Sequence, residues 1–376
     1  MAGYTIVRLT YVRDYPVYLD LLASLNNHQE LTYATLKAAY NKRKNCYSHG
    51  FIDAMIHEGN QAVEILCDFE VLQKKWAEEN GITFCDVNWE NDILLAQIKH
   101  IKPDVIYSDR FFAMPKALLH DRAEFPYVRV LAAQQGFPMG FTELKKADIV
   151  FSCAESIAWI FQLNGINAVH CPHSFDESIY EEIDGPGGIN REAGFDFVFS
   201  GHSGYGFDWH HRTRYNYLHA LLKETVLQAF ITERDRSLTP HLETPLRKLF
   251  PESTHDPVYG LDMYRLLFHS KIAFNVNPDS VFGYSGIMRE FEATGVGTCL
   301  LTTHTMDMGK FFEPDFEVIT FNSLEECKEK LQYLLSHSDV RADIGRRARN
   351  RVLKEHLIRH RVSIIHEHLA CLLRKK

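Results

Sequence analysis

Residues 271–303 read KIAFNVNPDSVFGYSGIMREFEATGVGTCLLTT and contain the pattern of one strand, one helix and a second strand. KIAFNV and TCLLT are short apolar runs bounded by turn-forming residues, as expected of buried strands. Between them, NPDSVFGYSG is typical of a turn, and a helix is predicted over 286–295. This order predicts one unit of a parallel α/β sheet.

The same alternation continues in both directions along the chain, with amphipathic segments between apolar runs. The strands predicted before residue 171 are YTIVRL (4–9), AVEIL (62–66), ITFCDV (82–87), DVIYS (104–108), YVRVLA (127–132), ADIVFS (147–152) and INAVH (166–170). Those predicted after residue 194 are FDFVFS (195–200), TVLQAFI (225–231), KIAFNV, TCLLT and EVITF (317–321). We therefore expect two doubly wound α/β modules.

The segment 170–194 interrupts this alternation and is rich in Gly, Pro and acidic residues, as connections between domains are. A chain of 376 residues also exceeds the usual size of one domain. We expect an amino-terminal domain over 1–173, a carboxyl-terminal domain over 174–350, and a helix over 351–376 that packs back on the first domain. Ser323 and Glu326 form a capping-box pattern at the start of another predicted helix.

The composition is that of an ordinary globular protein, with 45% hydrophobic and 24% charged residues. The net charge of −8 argues against nucleic-acid binding by the chain as a whole. Neither a secretory signal nor an apolar run of about 18 residues is present in the sequence. The 8 cysteines occur singly, without CxxC pairs, which favours free thiols and predicts a cytoplasmic location.

The start of the helix predicted near Gly286 is a candidate anion site, since its first backbone N–H groups lack partners within the helix. Ser285 and Gly286 would allow a diphosphate to approach the backbone, and Arg289 would add a charged contact. Glu292 lies one turn further along and could accept hydrogen bonds from ribose hydroxyls. The alternative is that Arg289 and Glu292 form an ordinary i,i+3 pair on the surface.

The longer stretch MREFEATGVGTCLLTTHTMDMGKFFEPDFEVITFNSLEECKEKLQYLLSH resembles glycosyltransferases of the GT-B fold, and in particular the bacterial subgroup related to the spore-maturation CgeB proteins. The resemblance extends through PVYGLDMYRLLFHSKIAFNVN and IGRRARNRVLKEHLIRHR, so that 256–361 is its most specific part. It continues less specifically into the amino-terminal half, at WAEENG, QIKHIKPDVIYSD and HCPHSFD, and so covers nearly the whole chain. The resemblance implies two Rossmann-like, doubly wound domains that face a cleft, with a carboxyl-terminal helix that crosses back. It also implies sugar transfer from a nucleotide-diphosphate donor to an acceptor hydroxyl, without a cofactor or a bound metal.

The resemblance assigns Glu292 to the donor ribose, and the backbone of residues 285–288 to the diphosphate or the sugar. It places the nucleobase against residues 258–260, and it makes Gly201, Arg212 and Arg214 phosphate-contact candidates; the alternative for the two arginines is a solvated, basic helix start. The complete set of implied donor-binding residues is Gly201, Arg212, Arg214, Tyr259, Gly260, Tyr284, Ser285, Gly286, Ile287, Met288, Arg289 and Glu292.

Two positions depart from the pattern of related families. Retaining enzymes there have a glutamate eight positions before the second one, and in this chain that position is Tyr284. The usual Asn before the MR pair is Ile287. The sequence therefore predicts a nucleotide-diphosphate site but neither a retaining mechanism nor the way in which the sugar hydroxyls are held.

A catalytic base is expected from the amino-terminal module, where Asp14 and Asp109 follow predicted strands. Helix capping is the alternative for both. His170, Cys171 and His173 are too few ligands for a zinc site, so we expect them to pack at the junction.

The expected partners are a nucleotide-sugar donor and a carbohydrate, protein or small-molecule acceptor. The basic terminal helix could in addition touch a membrane surface, and the favoured alternative is the solvated face of a helix that packs across both domains. Two other function classes stay open at this point: a non-catalytic nucleotide-sugar-binding protein with a degenerate site, and a GT-B sugar epimerase.

Overall fold

The computed structural model describes residues 3–12, 17–25, 27–45, 49–183, 194–234 and 243–376. These residues divide into two compact units. The first unit comprises Met1–Ser152, Ile157–Cys171 and Ile358–Lys376, and the second comprises Cys153–Ser156 and Pro172–Leu357. The terminal segment from Ile358 onward thus belongs with the amino-terminal part of the chain.

The described residues contain twelve strands and sixteen α-helices. The strands are β1 (Thr5–Thr10), β2 (Gln61–Leu66), β3 (Val105–Ser108), β4 (Val130–Gln134), β5 (Ile149–Ser152), β6 (Ala168–His170), β7 (Phe197–His202), β8 (Gln228–Thr232), β9 (Thr254–His255), β10 (Ile272–Asn275), β11 (Cys299–Thr303) and β12 (Ile319–Phe321). The helices are α1 (Val17–Ser24), α2 (Tyr33–Asn41), α3 (Gly50–His57), α4 (Glu70–Glu79), α5 (Trp89–Ile101), α6 (Lys116–His120), α7 (Phe141–Leu144), α8 (Glu155–Leu163), α9 (Ser178–Ile183), α10 (Arg212–Glu224), α11 (Leu246–Leu249), α12 (Gly260–His269), α13 (Met288–Gly295), α14 (Leu324–Ser336), α15 (Ser338–Glu355) and α16 (Ile358–Lys375).

Each unit has one six-stranded sheet in which all described strand pairs are parallel. The first sheet has the order β2-β1-β3-β4-β5-β6 and the second the order β12-β11-β10-β7-β8-β9. The predicted pair of doubly wound α/β modules is therefore confirmed. In each sheet the first strand lies inside the sheet, at β1 or β7. The next strands extend from it to one edge, and the later strands are then added on its other side. The reversal falls between β1 and β3 in the first sheet and between β7 and β10 in the second.

One predicted strand is wrong: ITFCDV (82–87) forms no strand and ends in a 3-10 turn over Asp86–Asn88. The backbone N–H of Ile82 bonds to the carbonyl of Ala77, which closes α4, with an N···O distance of 2.8 Å. The N–H of Cys85 bonds to the Asp92 carboxylate at 2.9 Å, at the start of α5. Helix ends therefore take the backbone groups that a strand would need, in spite of the alternating apolar pattern.

The sequence missed β9, because a strand of two residues leaves no periodic pattern. Residues 351–376, predicted as one helix, comprise the last residues of α15 and the whole of α16. The two helices are separated at His356, whose ring bonds to the carbonyl of Phe311 at 2.9 Å, and at Leu357, which pairs with Phe175 in an isolated bridge.

Helix α16 packs within the first unit, where Val362, Ile365 and Leu369 join the apolar cluster that contains Phe51 and Ile52 of α3. Near its middle, His366 stacks on Tyr4, with ring centroids 5.5 Å apart. None of the described helices combines the length and the apolar character needed to cross a membrane.

The cap predicted before α14 is half right. The Ser323 hydroxyl accepts the N–H of Glu326 at 3.2 Å, as the capping box requires. The Glu326 carboxylate, however, accepts the N–H of Asn322 at 2.8 Å rather than that of Ser323. The helix start is stabilised by both side chains, with the second bond displaced by one residue.

Candidate functional site

At the strand reversal between β7 and β10, the connections that follow the two strands leave the carboxyl edge of the second sheet toward opposite faces. The chain leaves β7 for α10, whose Leu218 and Leu221 pack in the apolar cluster on one face of the sheet. It leaves β10 for α13, whose Phe291 and Ala293 pack in the cluster on the other face. Ligands of open α/β sheets bind where neighbouring connections diverge in this way. Most of the residues predicted for the donor site come from these two connections.

Gly286 is fixed in a conformation and an environment that only glycine accepts. Its φ is +104°, in the region that disfavours side chains. A Cβ at this position would lie 2.2 Å from the carbonyl oxygen of Cys153 and 3.2 Å from Cβ of Pro172. The Gly286 carbonyl in turn accepts the N–H of His173 at 2.9 Å. This contact sets the position of the chain as it enters α13.

Two of the four backbone N–H groups predicted to face a diphosphate are already bonded inside the unit. The N–H of Ser285 donates to the Asp307 carboxylate at 2.7 Å, and the N–H of Gly286 donates to the Glu290 carboxylate at 2.8 Å. Ser285 is in addition fully buried, with its hydroxyl against that of Thr305. These two residues therefore shape the loop and offer no N–H to a ligand in this conformation.

The N–H groups of Ile287 and Met288 have no acceptor among the residues that the structure describes. Both residues are partly exposed, and Ile287 is the N-cap of α13 with an extended backbone (φ −82°, ψ 158°). They stand at the positive end of the α13 helix dipole. The predicted anion site is thus reduced to two backbone donors rather than four.

Glu290 is a component of the site that the sequence reasoning missed. Its side chain is fully buried and accepts hydrogen bonds from Asn277 Nδ2 and from the N–H of Gly286, each at 2.8 Å. Burial raises the pKa of Glu290 to about 7, although the bonds from Asn277 and Gly286 oppose this shift. The carboxyl group ties the loop after β10 to the first turn of α13.

The buried Glu290 carboxyl should make the stability of the protein depend on pH. Because its folded-state pKa of about 7 exceeds the ordinary value of 4.5, the folded protein holds an extra proton between these pH values, and its free energy of unfolding falls as the pH rises through this interval. Glu290→Gln imitates the protonated form and removes this slope. We expect wild type to lose about 3 kcal/mol relative to the variant between about pH 4.5 and 7, measured by urea unfolding.

The exposed Glu252→Gln provides the matched control, since its side chain lies in water. Its difference from wild type should stay constant across the same pH range. If Glu290→Gln and wild type lose stability in parallel, the carboxyl is ionised throughout, and its contact with Asn277 is an ordinary charged hydrogen bond.

Arg289 and Glu292 do form an i,i+3 pair, but Glu292 is buried and Arg289 is partly buried, so the pair is not a solvated surface pair. Nη1 of Arg289 lies 3.0 Å from Oε2 of Glu292, and their side chains are only 15% and 6% exposed. Nη2 of Arg289 donates to the carbonyl of Ser200 on β7 at 2.9 Å. The hydroxyl of Tyr264 on α12 lies 3.5 Å from Oε1 of Glu292. The pair thus links β7, α12 and α13 beside the strand reversal, and a surface pair in water is the wrong interpretation.

The two arginines at the start of α10 have different surroundings. Arg212 is exposed, with Nε 4.0 Å from the Glu243 carboxylate, which agrees with the alternative of a solvated helix start. Arg214 is buried and donates through Nε and Nη2 to the carbonyl of Val276, at 3.1 and 2.8 Å. Burial, and next the charge of Arg289, lower the pKa of Arg214 to about 10. Arg214 thus joins the connections after β7 and β10, and for it the solvated alternative is wrong.

The other predicted donor residues lie along the same edge of the sheet. Gly201 is the last residue but one of β7 and has φ +146°. Tyr259 precedes α12, and its hydroxyl lies 2.9 Å from that of Thr232 at the end of β8. Gly260 begins α12 with φ +55°. Tyr284 is partly exposed, and its carbonyl accepts Asn277 Nδ2 at 3.3 Å.

In the first unit, Asp109 follows β3 at the corresponding strand reversal, and its N–H bonds to the carbonyl of Leu9 on β1 at 3.2 Å. Its Oδ2 atom is buried without a hydrogen-bond partner among the described residues. Burial raises the pKa of Asp109 to about 7, against the charge of Arg8. The N-cap of the following 3-10 turn is Arg110, so the helix-cap interpretation of Asp109 is wrong. Asp14 lies outside the described residues.

The HCPH segment shows no metal site. Cys171 is a free, buried thiol whose pKa burial raises to about 12. Within the described parts of the chain, no group of three or more His, Cys, Asp or Glu side chains has the arrangement of metal ligands.

Comparison with protein families gives a match for the second unit. Residues 192–367, which contain β7 to β12 and α10 to α15, match the family described as glycosyl transferase-like. No curated protein matches the chain. The family match covers the donor-site residues named above.

Solved structures of similar fold extend the match to both units. HepE from Anabaena, solved with UDP-glucose, is 13% identical with a TM-score of 0.58, and the match covers 98% of this chain and 100% of that chain. Sucrose-phosphate synthase from Thermosynechococcus elongatus is 8% identical with a TM-score of 0.58, over 99% of this chain and 100% of that one. A glycosyltransferase from Rickettsia africae is 11% identical with a TM-score of 0.56, over 100% of both chains. The chain has the GT-B fold, as the sequence predicted.

Proposed function

We propose that this chain, whose residues 192–367 match the glycosyl transferase-like family, moves a sugar from a nucleotide-diphosphate donor to an acceptor hydroxyl. The observation that carries the proposal is the largely buried Arg289–Glu292 pair beside the Ile287 and Met288 amides, at the strand reversal of the second sheet. Removing an ion pair from water costs desolvation energy, so its position at a strand reversal favours a role in ligand binding over a role in stability alone. HepE, which has the same fold, was solved with UDP-glucose, UDP, and UDP with glucose.

In the proposed complex, the N–H groups of Ile287 and Met288 bind the diphosphate at the start of α13. Oxygens of Glu292 accept hydrogen bonds from the ribose hydroxyls, and the contact with Arg289 keeps this carboxylate oriented. Residues 258–260 border the nucleobase, beside the Tyr259–Thr232 contact. Arg212 and Arg214 contribute positive charge, although Arg214 acts through the loop carbonyls that it already binds.

During transfer, the acceptor oxygen forms a bond to the anomeric carbon, and the bond from that carbon to the diphosphate oxygen breaks. Negative charge then grows on the leaving diphosphate, where the two amides and the helix dipole stabilise it. The acceptor hydroxyl loses its proton to a base, for which we propose Asp109. Its buried carboxyl, with a pKa near 7, is suited to accept a proton at neutral pH.

We further propose that the protein is bacterial, is related to the CgeB subgroup and works in the cytoplasm. We also propose that transfer needs neither a metal nor a cofactor, and that the acceptor is a carbohydrate, a protein or a small molecule. Contact of the basic stretch in α15 and α16 with a membrane surface is a further element that the proposal does not require.

We expect wild-type protein to bind at least one of UDP, GDP and CDP with a dissociation constant in the micromolar range. Two charge-assisted ribose bonds and two amide contacts support an affinity of this order. Isothermal titration with the three nucleotides measures it, and AMP serves as a control that lacks the diphosphate. Failure to bind all three diphosphates would contradict the proposed function.

A further inference from the structure

Two large aromatic side chains are exposed together at the strand reversal of the second sheet. Trp209 lies in the connection after β7 and Phe282 in the connection after β10, and each is 48% exposed. Their ring centroids are 6.0 Å apart, with the planes inclined by 36°. His210 stacks on Trp209 at 4.0 Å. The two exposed rings therefore form one aromatic surface, which we call the aromatic platform.

The chain holds Phe282 in an unfavourable backbone conformation. Its φ is +52°, which is rare for a bulky residue and costs free energy. The residues on either side are fixed: the Ser156 hydroxyl donates to the Val281 carbonyl at 2.7 Å, and the N–H of Met306 donates to the Gly283 carbonyl at 3.0 Å. Burial of the ring does not offset the strain, because half of the ring stays in water. Strain of this kind is concentrated at ligand sites.

We infer that the aromatic platform of Trp209 and Phe282 stacks against the sugar ring of the donor and so takes part in selecting the sugar. The inference rests on the proposed function and deepens it. Tyr284 stands where related families have the first glutamate, so a carboxylate at this position is not available to hold sugar hydroxyls. The C–H face of a pyranose is apolar and packs on aromatic rings, while its hydroxyls point to the rim.

The position of the platform favours the sugar over the nucleobase as its occupant. In the proposed complex the base lies by residues 258–260, after β9, whereas Phe282 follows β10. The sheet order β10-β7-β8-β9 separates these strands by three steps of about 4.8 Å, or about 14 Å in all. A ribose and a diphosphate span a distance of this order. Phe282 and the proposed diphosphate site at Ile287 lie five residues apart in the same connection after β10, and we therefore assign the platform to the group beyond the diphosphate.

The test uses Phe282→Gly, which removes the ring and relieves the positive φ. Its melting temperature should therefore equal or exceed that of wild type. Binding is measured by isothermal titration with UDP and UDP-glucose, and with GDP and GDP-mannose as a second pair. We expect wild type to bind one nucleotide sugar more tightly than the matching diphosphate. Phe282→Gly and Trp209→Ala should each lower the affinity for the nucleotide sugar by about tenfold. The affinity for the matching diphosphate should stay within about twofold of the wild-type value.

Tyr333→Ala, at a ring that is 51% exposed on α14, is the control and should leave both affinities unchanged. Equal nucleotide-sugar affinity in wild type, Phe282→Gly and Trp209→Ala would overturn the proposed role of the platform. Diphosphate binding in the same experiment would still support the proposed function. An equal loss of diphosphate and nucleotide-sugar affinity would also overturn the role of the platform, since the rings would then contact the nucleotide. Absence of all nucleotide binding in wild type would remove the proposed function, and the platform with it.

Discussion

Glu292→Gln is expected to weaken binding of the preferred nucleoside diphosphate by about 100-fold. The substitution keeps the length of the side chain but removes its charge, and with it the charge-assisted bonds to two ribose hydroxyls. Each such bond contributes about 1.5 kcal/mol, and about 1.4 kcal/mol corresponds to a tenfold change in affinity. Isothermal titration of variant and wild type with the same nucleotide measures the effect.

The same substitution also removes the ionic partner of a buried arginine. Arg289 would keep its bond to the Ser200 carbonyl but lose the carboxylate that lies 3.0 Å away. An uncompensated charge at 15% exposure should lower the free energy of unfolding by about 2 kcal/mol. The ribose contact is therefore tested by the nucleotide titration and not by a stability measurement. The titration is carried out at a temperature below the thermal unfolding transition of the variant.

Asp262→Asn supplies the matched control for this pair. Asp262 and Arg265 have the same i,i+3 spacing and the same 3.0 Å distance, but their side chains are 64% and 48% exposed. The free energy of unfolding should change by less than about 0.5 kcal/mol, and nucleotide affinity should not change. Nucleotide affinity within twofold of wild type in Glu292→Gln would refute the ribose role and leave the pair with a structural role only.

The sequence predicted those parts of the fold that depend on local pattern. The runs that became β10 and β11 each have an apolar centre, and both strands are buried in the middle of a parallel sheet. Helix α12 also follows the local pattern, since it coincides with the amphipathic stretch between Tyr259 and Ser270. ITFCDV has the same local pattern as a strand, and only the competition from the ends of α4 and α5 excludes it.

The site was predicted less completely, because its polar contacts join residues that are far apart in the chain. Glu290 stands between Arg289 and Phe291, where a glutamate is usually solvated, and its partner Asn277 lies 13 positions away. The Ser285 amide is bonded to Asp307, which is 22 positions away. No pattern of spacing distinguishes such a buried carboxylate from a surface one.

The same limit explains the different outcomes of Arg212 and Arg214. They are two positions apart on α10, so they point to different sides of the helix. Arg212 is exposed, and Arg214 lies against the Val276 carbonyl. Which of the two arginines is buried depends on where β10 ends relative to α10. The sequence identified the basic helix start but not which arginine is buried.

Gly286→Ala adds one methyl group, and we expect it to lower the free energy of unfolding more than a methyl group added elsewhere in this site. The new Cβ would stand 2.2 Å from the Cys153 carbonyl oxygen, which is a backbone atom that no side-chain rotation can move away. Alanine is also strained at φ +104°. We expect the free energy of unfolding to fall by about 4 kcal/mol, measured by urea unfolding. Any folded fraction should bind nucleoside diphosphate more than about tenfold more weakly, because the Ile287 and Met288 amides follow directly.

Gly309→Ala is the control that separates a steric effect from a general effect of replacing glycine. Gly309 is exposed and does not have a positive φ, and a Cβ added there would meet no heavy atom within 4 Å. Its stability should stay within about 0.5 kcal/mol of wild type, with unchanged nucleotide affinity. If Gly286→Ala behaved like Gly309→Ala, the backbone before α13 would be free to move away from Cys153. The two amides would then be set by ligand binding rather than held in place beforehand, and the argument for a preformed diphosphate site would fail.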